Sequence, residues 1–298
     1  MAERVDVSVI VVTLDALPWV ERCLESVSGY ETIVVDHGSR DGTVELVRRR
    51  FPRARLVAQE NRGLAAGWNR GIREAHGSYL LLLNADAWVV GDAVERLAAF
   101  ADERPRAAVI GPRLRNPDGT LQRSARRFPT LWRLATEYFF LRKLAPRSQA
   151  LNAFYEGGFD HDQEREVDWL MGACLLVRRA AIDAVGLLDE SFFLFSEETD
   201  WCYRFRAAGW QVIFYPEAEV VHVGGASHGG RLFRENLRGH LRFLAKHRGV
   251  EEAERARRLL CLALRLRGLL FRGERGRAYR EAARWLASAP ARELLDRP

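Results

Sequence analysis

The chain has 298 residues, of which 48% are apolar and 29% charged, with a formal net charge of +6 and an isoelectric point near 9.4. That length holds a full α/β core and an appendage but not two large domains, and the composition is ordinary for a soluble globular protein. The four cysteines form no CxxC pair and no zinc-spaced cluster with histidine, so they read as buried thiols in a reducing compartment.

The amino-terminal run MAERVDVSVIVV places acidic residues before a strand-length apolar stretch, the reverse of a signal peptide, so none is expected. No stretch approaches about 18 uninterrupted apolar residues, so no transmembrane helix is expected either. The positive charge is almost all arginine, since Lys143 and Lys246 are the only lysines. A basic balance suits an anionic partner such as a nucleotide, a lipid diphosphate or an anionic membrane surface.

In chain order, 7–13 (VSVIVVT) reads as a buried strand and 19–27 has helical spacing. A second strand at 32–36 (TIVVD) leads into a turn and a helix around 44–50. A short third strand at 55–58 precedes a helix at 64–75, and 79–84 (YLLLLN) has the unbroken apolar character of a central parallel strand. Strand and helix alternating at this spacing predict an open, mostly parallel sheet with helices on both faces. NPDG within 113–122 predicts a small hairpin. The pattern from 123 to about 160 is mixed, with aromatics among basic residues. Order returns at 169–177, with helices at 180–184 and 198–208 and closing strands at 211–215 and 220–223. Beyond Gly229 the chain reads as basic helices.

Ligands of open α/β sheets bind outside the carboxyl ends of the strands, so the polar residues there are the candidates. Thr13 ends the first strand. Asp36 ends the second, in DHGSRDGT, where its carboxylate can accept the N3–H of a uracil or thymine ring; Asp41 or Thr43 is placed to cap the next helix. In NRGLAAGWNRG, small residues let a helix approach sheet and ligand closely, with Asn61, Arg62 and Asn69 near the nucleoside or serving as cap and polar face. The fourth strand runs into Asn84-Ala85-Asp86. An acid there is costly unless solvated, hydrogen-bonded or bound to a hard cation, which makes Asp86 the candidate metal ligand and Asn84 a partner for ribose or an outer water. Glu197, Glu198 and Asp200 follow four apolar or aromatic residues and open a helix, whose dipole favours negative charge. Beside apolar walls such a carboxylate holds protons more tightly and can act as a general base. That role falls to Glu198, with Asp200 orienting the acceptor or its own segment. His222, at the end of an apolar strand before two glycines, is the candidate second metal ligand.

These blocks, VSVIVVT, VVDHGSRDGT, NRGLAAGWNRG, LLLLNADAWV, the run GACLLVRRAAIDAVGLLDESFFLFSEETDWCYRFRAAGW and VVHVGG, follow the order and spacing of glycosyltransferase family 2. The resemblance covers about residues 6 to 225. It implies a GT-A fold, inversion at the anomeric carbon, and Mg²⁺ or Mn²⁺ at the DxD-like turn 84–86. It further implies a nucleoside diphosphate sugar (UDP or dTDP) as donor and a saccharide or lipid-linked acceptor in surface polysaccharide or glycolipid assembly, with rhamnosyltransferases as the nearest pattern. Two positions depart from the family: His37 stands where Asn is common, and Glu197-Glu198 where Glu-Asp is usual, which makes the base one methylene, about 1.5 Å, longer. The expected division is a GT-A domain at 1–228 (nucleotide half 1–112, acceptor half 113–228) and a basic helical extension at 229–298. The expected location is cytoplasmic, with the 127–145 run and the carboxy-terminal helices resting on the inner face of the plasma membrane.

Two other readings compete. A sugar-nucleotide pyrophosphorylase wants a glycine-rich, lysine-containing phosphate loop after the first strand, where this chain has Thr13-Leu14-Asp15-Ala16-Leu17. An inactive GT-A-like binding protein predicts loss of the acids, which remain. Nucleic acid is not an expected partner, because the arginines are scattered rather than gathered in a recognised module.

Overall fold

A computed structural model describes residues 6–224 and 230–296. Gly225 of the VVHVGG block and the expected 228/229 boundary lie outside the described residues. The chain forms two compact units: one comprises 1–125, 161–193 and 200–224, the other 126–160, 194–199 and 225–298.

The first unit is built on strands β1 (Val7–Thr13), β2 (Glu31–Asp36), β3 (Arg55–Ala58), β4 (Tyr79–Asn84), β5 (Ala87–Val90) and β6 (Ala107–Arg115). Two-residue strands β7 (Leu121–Gln122), β8 (Ala125–Arg126), β9 (Arg165–Glu166) and β10 (Trp169–Leu170) precede β11 (Cys174–Arg178) and β12 (Gln211–His222). The sheet order is β3-β2-β1-β4-β11-β6-β12-β5, with β7 on β6 and β9 on β12. The β3-β2-β1-β4 half is parallel and β12 runs parallel to β6, whereas β11 and β5 run antiparallel to their neighbours. The expected hairpin is the β6–β7 pair, in which Leu114 faces Gln122.

Alternation along β1 sorts the two faces. Val7, Val9 and Val11 join a core with Val34, Leu81 and Leu83 and with Val20, Cys23, Val47, Val94 and Leu97. These last five lie on helices α1 (Leu17–Glu25), α2 (Thr43–Arg50) and α4 (Ala93–Glu103). Each such aliphatic side chain contributes roughly 1.5–3 kcal/mol on burial. Ile10 and Val12 point the other way, onto α3 (Leu64–Glu74). A β-carbon at Gly71 would lie 2.2 Å from Ile10 Cγ2, so glycine is what lets this helix lie so close to the strand.

Helix α6 (Arg179–Val185) follows β11, and α7 (Glu197–Ala207) precedes β12. The closing strands expected at 211–215 and 220–223 are one strand, interrupted by a register shift between Tyr215 and Glu219.

The second unit contains α5 (Leu131–Tyr138), α8 (Gly230–Arg248), α9 (Val250–Leu270), α10 (Gly273–Ala287) and α11 (Ala291–Asp296). Helix α9 packs on α5, α8, α10 and α11. Phe128 stacks on Phe243 at 5.8 Å between ring centres. Arg267 is buried and donates to the carbonyls of Tyr138 and Glu137, both at 2.7 Å. It thus meets the open carbonyl end of α5, where the helix dipole favours a cation. All four cysteines are buried free thiols. Among the described residues no helix is long and apolar enough to cross a membrane.

Candidate active site

The parallel register places the carboxyl ends of β1, β2 and β4 on one edge: Thr13 pairs with Asp36, and Val12 with Asn84. Thr13 Oγ1 donates to Asp36 Oδ1 at 2.9 Å. Ser39 Oγ donates to the same oxygen, and the N–H groups of Gly38 and Ser39 donate to Oδ2, both at 2.9 Å. Four donors fill about the four acceptor positions of a carboxylate. Asp36 therefore fixes its own loop, and the groups that loop presents are His37 to Arg40. His37 is buried, its N–H donates to the Thr13 carbonyl at 2.9 Å, and burial holds its ring below the usual imidazole range against the opposing charge of Asp36.

The cap position of α2 is Gly42, and Asp41, one residue before it, accepts from the first N–H of the helix. Asp41 accepts from the N–H of Leu17 at 2.8 Å and of Thr43 at 3.0 Å, tying the start of α1 to that of α2. Asn61 Oδ1 accepts from Gly63 N at 3.1 Å, a turn of its own ahead of α3. Gly63 could carry no side chain, since its β-carbon would stand 2.4 Å from the Phe193 carbonyl oxygen. Asn69 is buried, and its amide holds the backbone of Leu188 through both N–H and C=O at 2.9 and 3.0 Å and donates to Glu190 at 3.0 Å. Arg62 reaches the same Glu190 at 3.2 Å. Glu190, about 120 residues along the chain from α3, is a site-shaping residue that sequence reasoning did not single out.

Asp86 sits in the two-residue turn between β4 and β5. Because β5 pairs antiparallel with β12, Ala87 faces His222, which brings Asp86 and His222 together. The carboxylate Oδ1 lies 3.3 Å from His222 Nε2, and Gly224 N donates to Oδ2 at 3.1 Å. Asn84 Nδ2 is 3.4 Å from the same Nε2. Burial pushes the Asp86 carboxyl up, but His222 and the Gly224 N–H outweigh it and hold it below the usual range.

The other ring nitrogen of His222 is set by Gln122. The Gln122 amide donates to Asn116 Oδ1 at 2.9 Å and to the His222 carbonyl at 3.4 Å, which turns its oxygen to His222 Nδ1 at 2.7 Å. Nδ1 therefore carries the proton, and in the neutral ring Nε2 presents a lone pair towards Asp86 Oδ1. Asp86 Oδ1 and Asn84 Nδ2 both face this nitrogen, at 3.3 and 3.4 Å. A histidine anchored through its far N–H is the usual form of a metal ligand. Among the described residues no group of three or more His, Cys, Asp or Glu could hold a metal. Asp86 and His222 supply one carboxylate and one imidazole nitrogen, so a cation held here would need its remaining ligands from a bound substrate and water.

Asp200 of α7 is fully buried and paired with Arg204 at 2.9 Å. Arg204 also donates to the carbonyls of Val185 and Leu187, so this pair orients its own segment.

In the second unit, Phe195 and Ser196 both have left-handed backbones, φ 68° and 69°, which cost non-glycine residues roughly 1–3 kcal/mol each and cluster at functional sites. A β-carbon at Gly239 on α8 would lie 2.7 Å from Ser196 Oγ and 2.8 Å from the Phe195 carbonyl oxygen, so the turn rests on a bare stretch of helix. Glu197 and Glu198 follow, both buried. Burial first, and the neighbouring Glu198 charge second, push the Glu197 carboxyl well above the usual carboxylate range.

The family model for glycosyl transferase family 2 matches residues 8–184. The chain is 33% identical over 231 residues to the N-acetylglucosaminyl-diphospho-decaprenol L-rhamnosyltransferase of Mycobacterium tuberculosis, covering 72% of this chain and 75% of that one. A low-salt glycan biosynthesis hexosyltransferase of Haloferax volcanii is 24% identical over 216 residues, covering 67% of this chain and 62% of that protein. Among solved structures, a GalNAc-T7 bound to UDP, GalNAc and Mn²⁺ aligns with a TM-score of 0.60 at 13% identity, over 99% of this chain and 58% of that one. A mannosyltransferase from Pyrobaculum calidifontis with GDP-Man and Mn²⁺ aligns at 0.56 and 18% identity, over 99% and 84%. These alignments carry the fold: a mixed α/β sheet of GT-A type.

Proposed function

The chain belongs to glycosyltransferase family 2, and from that premise we propose that it transfers a sugar, with inversion, from a nucleoside diphosphate donor to an acceptor hydroxyl. The carrying observation is the approach of His222 Nε2 to Asp86 Oδ1 at 3.3 Å, beside strand ends that close a parallel sheet. Asp86 and His222 would hold Mg²⁺ or Mn²⁺, and when bound such a cation supplies neutralisation of the charge that grows on the departing diphosphate. Gln122 keeps the ring in the tautomer this requires. Asn84 would meet ribose or an outer water, and Ala85 gives the turn a small residue. Thr13 and Asp36 brace the loop 37–40 at the nucleoside end, while Asn61, Arg62 and Asn69 shape its border through Gly63, Leu188 and Glu190.

Glu198 accepts the proton of the acceptor hydroxyl as that oxygen attacks the anomeric carbon from the face opposite the diphosphate. Burial and the Glu198 charge push Glu197 towards its neutral form, which favours Glu198 as the carboxylate of the pair that serves as base. Orientation of donor and acceptor contributes much of the rate.

The rhamnosyltransferase relative supports a dTDP- or UDP-linked deoxyhexose donor and a saccharide on a lipid diphosphate as acceptor, with the work done at the cytoplasmic face of a membrane. A thermal-shift panel of UDP-, dTDP- and GDP-sugars, with and without Mn²⁺, tests this directly. One nucleotide family should stabilise the chain, and only with metal. Absence of any shift across the panel sinks the proposal.

A further inference from the structure

The positive charge of this chain is concentrated at one end. Residues 230–298 hold 18 arginine or lysine residues against 8 acids, a net +10 in a chain whose total is +6. Within the second unit, α9 and α10 pack side by side. A groove of about 560 Å³ runs between them, lined among others by Arg265, Leu269, Arg280, Ala283 and Arg284.

The exposed positions of α9 form a single stripe at helical spacing. Its first half is charged, and its second half carries Leu262, Leu266, Leu269 and Leu270, which are 55, 43, 80 and 74% exposed. Single exposed leucines need no explanation; a contiguous run of four beside a groove does. The cations around them differ in their partners, and Arg280, which lines the groove, donates to the Gly268 carbonyl at 2.7 Å. Arg255, Arg258 and Arg277 are each tied to a glutamate on their own helix. Arg265, Arg272 and Arg284, which are also exposed, make no ion pair among the described residues.

We propose that the α9–α10 face is a docking surface for an anionic lipid bilayer. The four leucines enter the boundary between headgroups and acyl chains, and Arg265, Arg272 and Arg284 meet lipid phosphates at headgroup level. Unpaired cations flanking an apolar stripe are the pattern of a helix that lies in the interface plane, and no described helix is apolar enough to cross. A nucleic acid would match the arginines but not the leucines. A second copy of this chain would match the leucines, yet it would set unpaired arginines against each other. This inference stands on the helices of the second unit and not on the transferase reading, and its test reads lipid binding rather than sugar transfer.

The test is co-sedimentation of the full chain with phosphatidylcholine vesicles containing about a third phosphatidylglycerol, against pure phosphatidylcholine, since the attraction depends on anionic headgroups. The chain should pellet with the anionic vesicles and be released by salt. Combining Arg265→Gln, Arg272→Gln and Arg284→Gln should weaken partitioning about a hundredfold, because each basic residue at an anionic surface is worth about fivefold. Leu269→Ser with Leu270→Ser should also weaken it at unchanged charge, with circular dichroism and the melting curve unaltered because both side chains are exposed. Three results would overturn the proposal: equal binding to neutral and anionic vesicles, undiminished binding by the arginine triple variant, or a dimer that the leucine variant disperses while vesicles capture nothing.

Discussion

His37 Nε2 lies 2.7 Å from where a β-carbon on Gly67 would stand, and Val12 Cγ1 lies 2.8 Å from the same point. Helix α3 can cover the ends of β1 and β2 only because that position is bare. Gly67→Ala gains about 1 kcal/mol of helix propensity, but overpacking a filled site costs about 1–3 kcal/mol. The expected net is a loss of stability in urea unfolding, together with weaker nucleotide binding as the His37 loop is pushed aside. Unchanged stability would show that the ring yields freely.

Gln122 touches His222 and neither Asp86 nor Asn84. Gln122→Leu removes the acceptor that keeps the proton on Nδ1. Replacing such an outer partner typically lowers metal affinity about 10- to 100-fold, so Mn²⁺ titrations in the presence of nucleotide should shift by that factor. Nucleotide binding without metal should stay as it was.

Glu197 and Glu198 should separate under the same substitution. Glu198→Gln is expected to cut turnover about 10²- to 10⁴-fold, the usual worth of a general base, with donor binding intact. Glu197→Gln puts a neutral isostere where burial and Glu198 already push the acid towards its neutral form, so thermal stability should hold or rise and turnover should stay within a few-fold. If the two results are exchanged, the base is Glu197.

Much of the sheet was legible because β1, β2 and β4 are apolar runs that each end in a polar residue, and this also located Thr13, Asp36 and Asn84 at one edge. Strand β6 was hidden because Gly111 and Pro112 interrupt AAVIGPRLR and suggest a turn; β5 was hidden inside a motif read for its chemistry. Pro216 and the shift after Tyr215 split β12 into two apparent strands. The site was legible as a set of acids but not as a set of bonds. The bonds from Gly38 and Ser39 to Asp36, and those of Asn69 to Leu188 and Glu190 about 120 residues away, could not be read from the motifs that hold the two residues. A single sequence shows neither, because both depend on partners brought in by the tertiary fold.

His240, on α8, should give the fold a pH dependence of its own. Buried between Tyr138 and Phe154, its ring is pushed by burial from the ordinary 6.5 down to about 4. Between those values the unfolded chain binds the proton and the folded chain does not, so stability is full above about pH 6.5 and falls as the pH drops towards 4. The loss approaches about 3 kcal/mol as an upper bound. His240→Leu should flatten that limb of the stability profile, measured by denaturant unfolding at stepped pH.

The left-handed turn at Phe195 and Ser196 leaves its mark on a distant stretch of chain. Position 239 must remain without a side chain for the turn to keep its shape, so a residue on a helix far along the sequence sets where the two glutamates begin. A single methyl group there would act like a shim, lifting the acids from their seat without altering them. Selection on the acids is then also selection on Gly239.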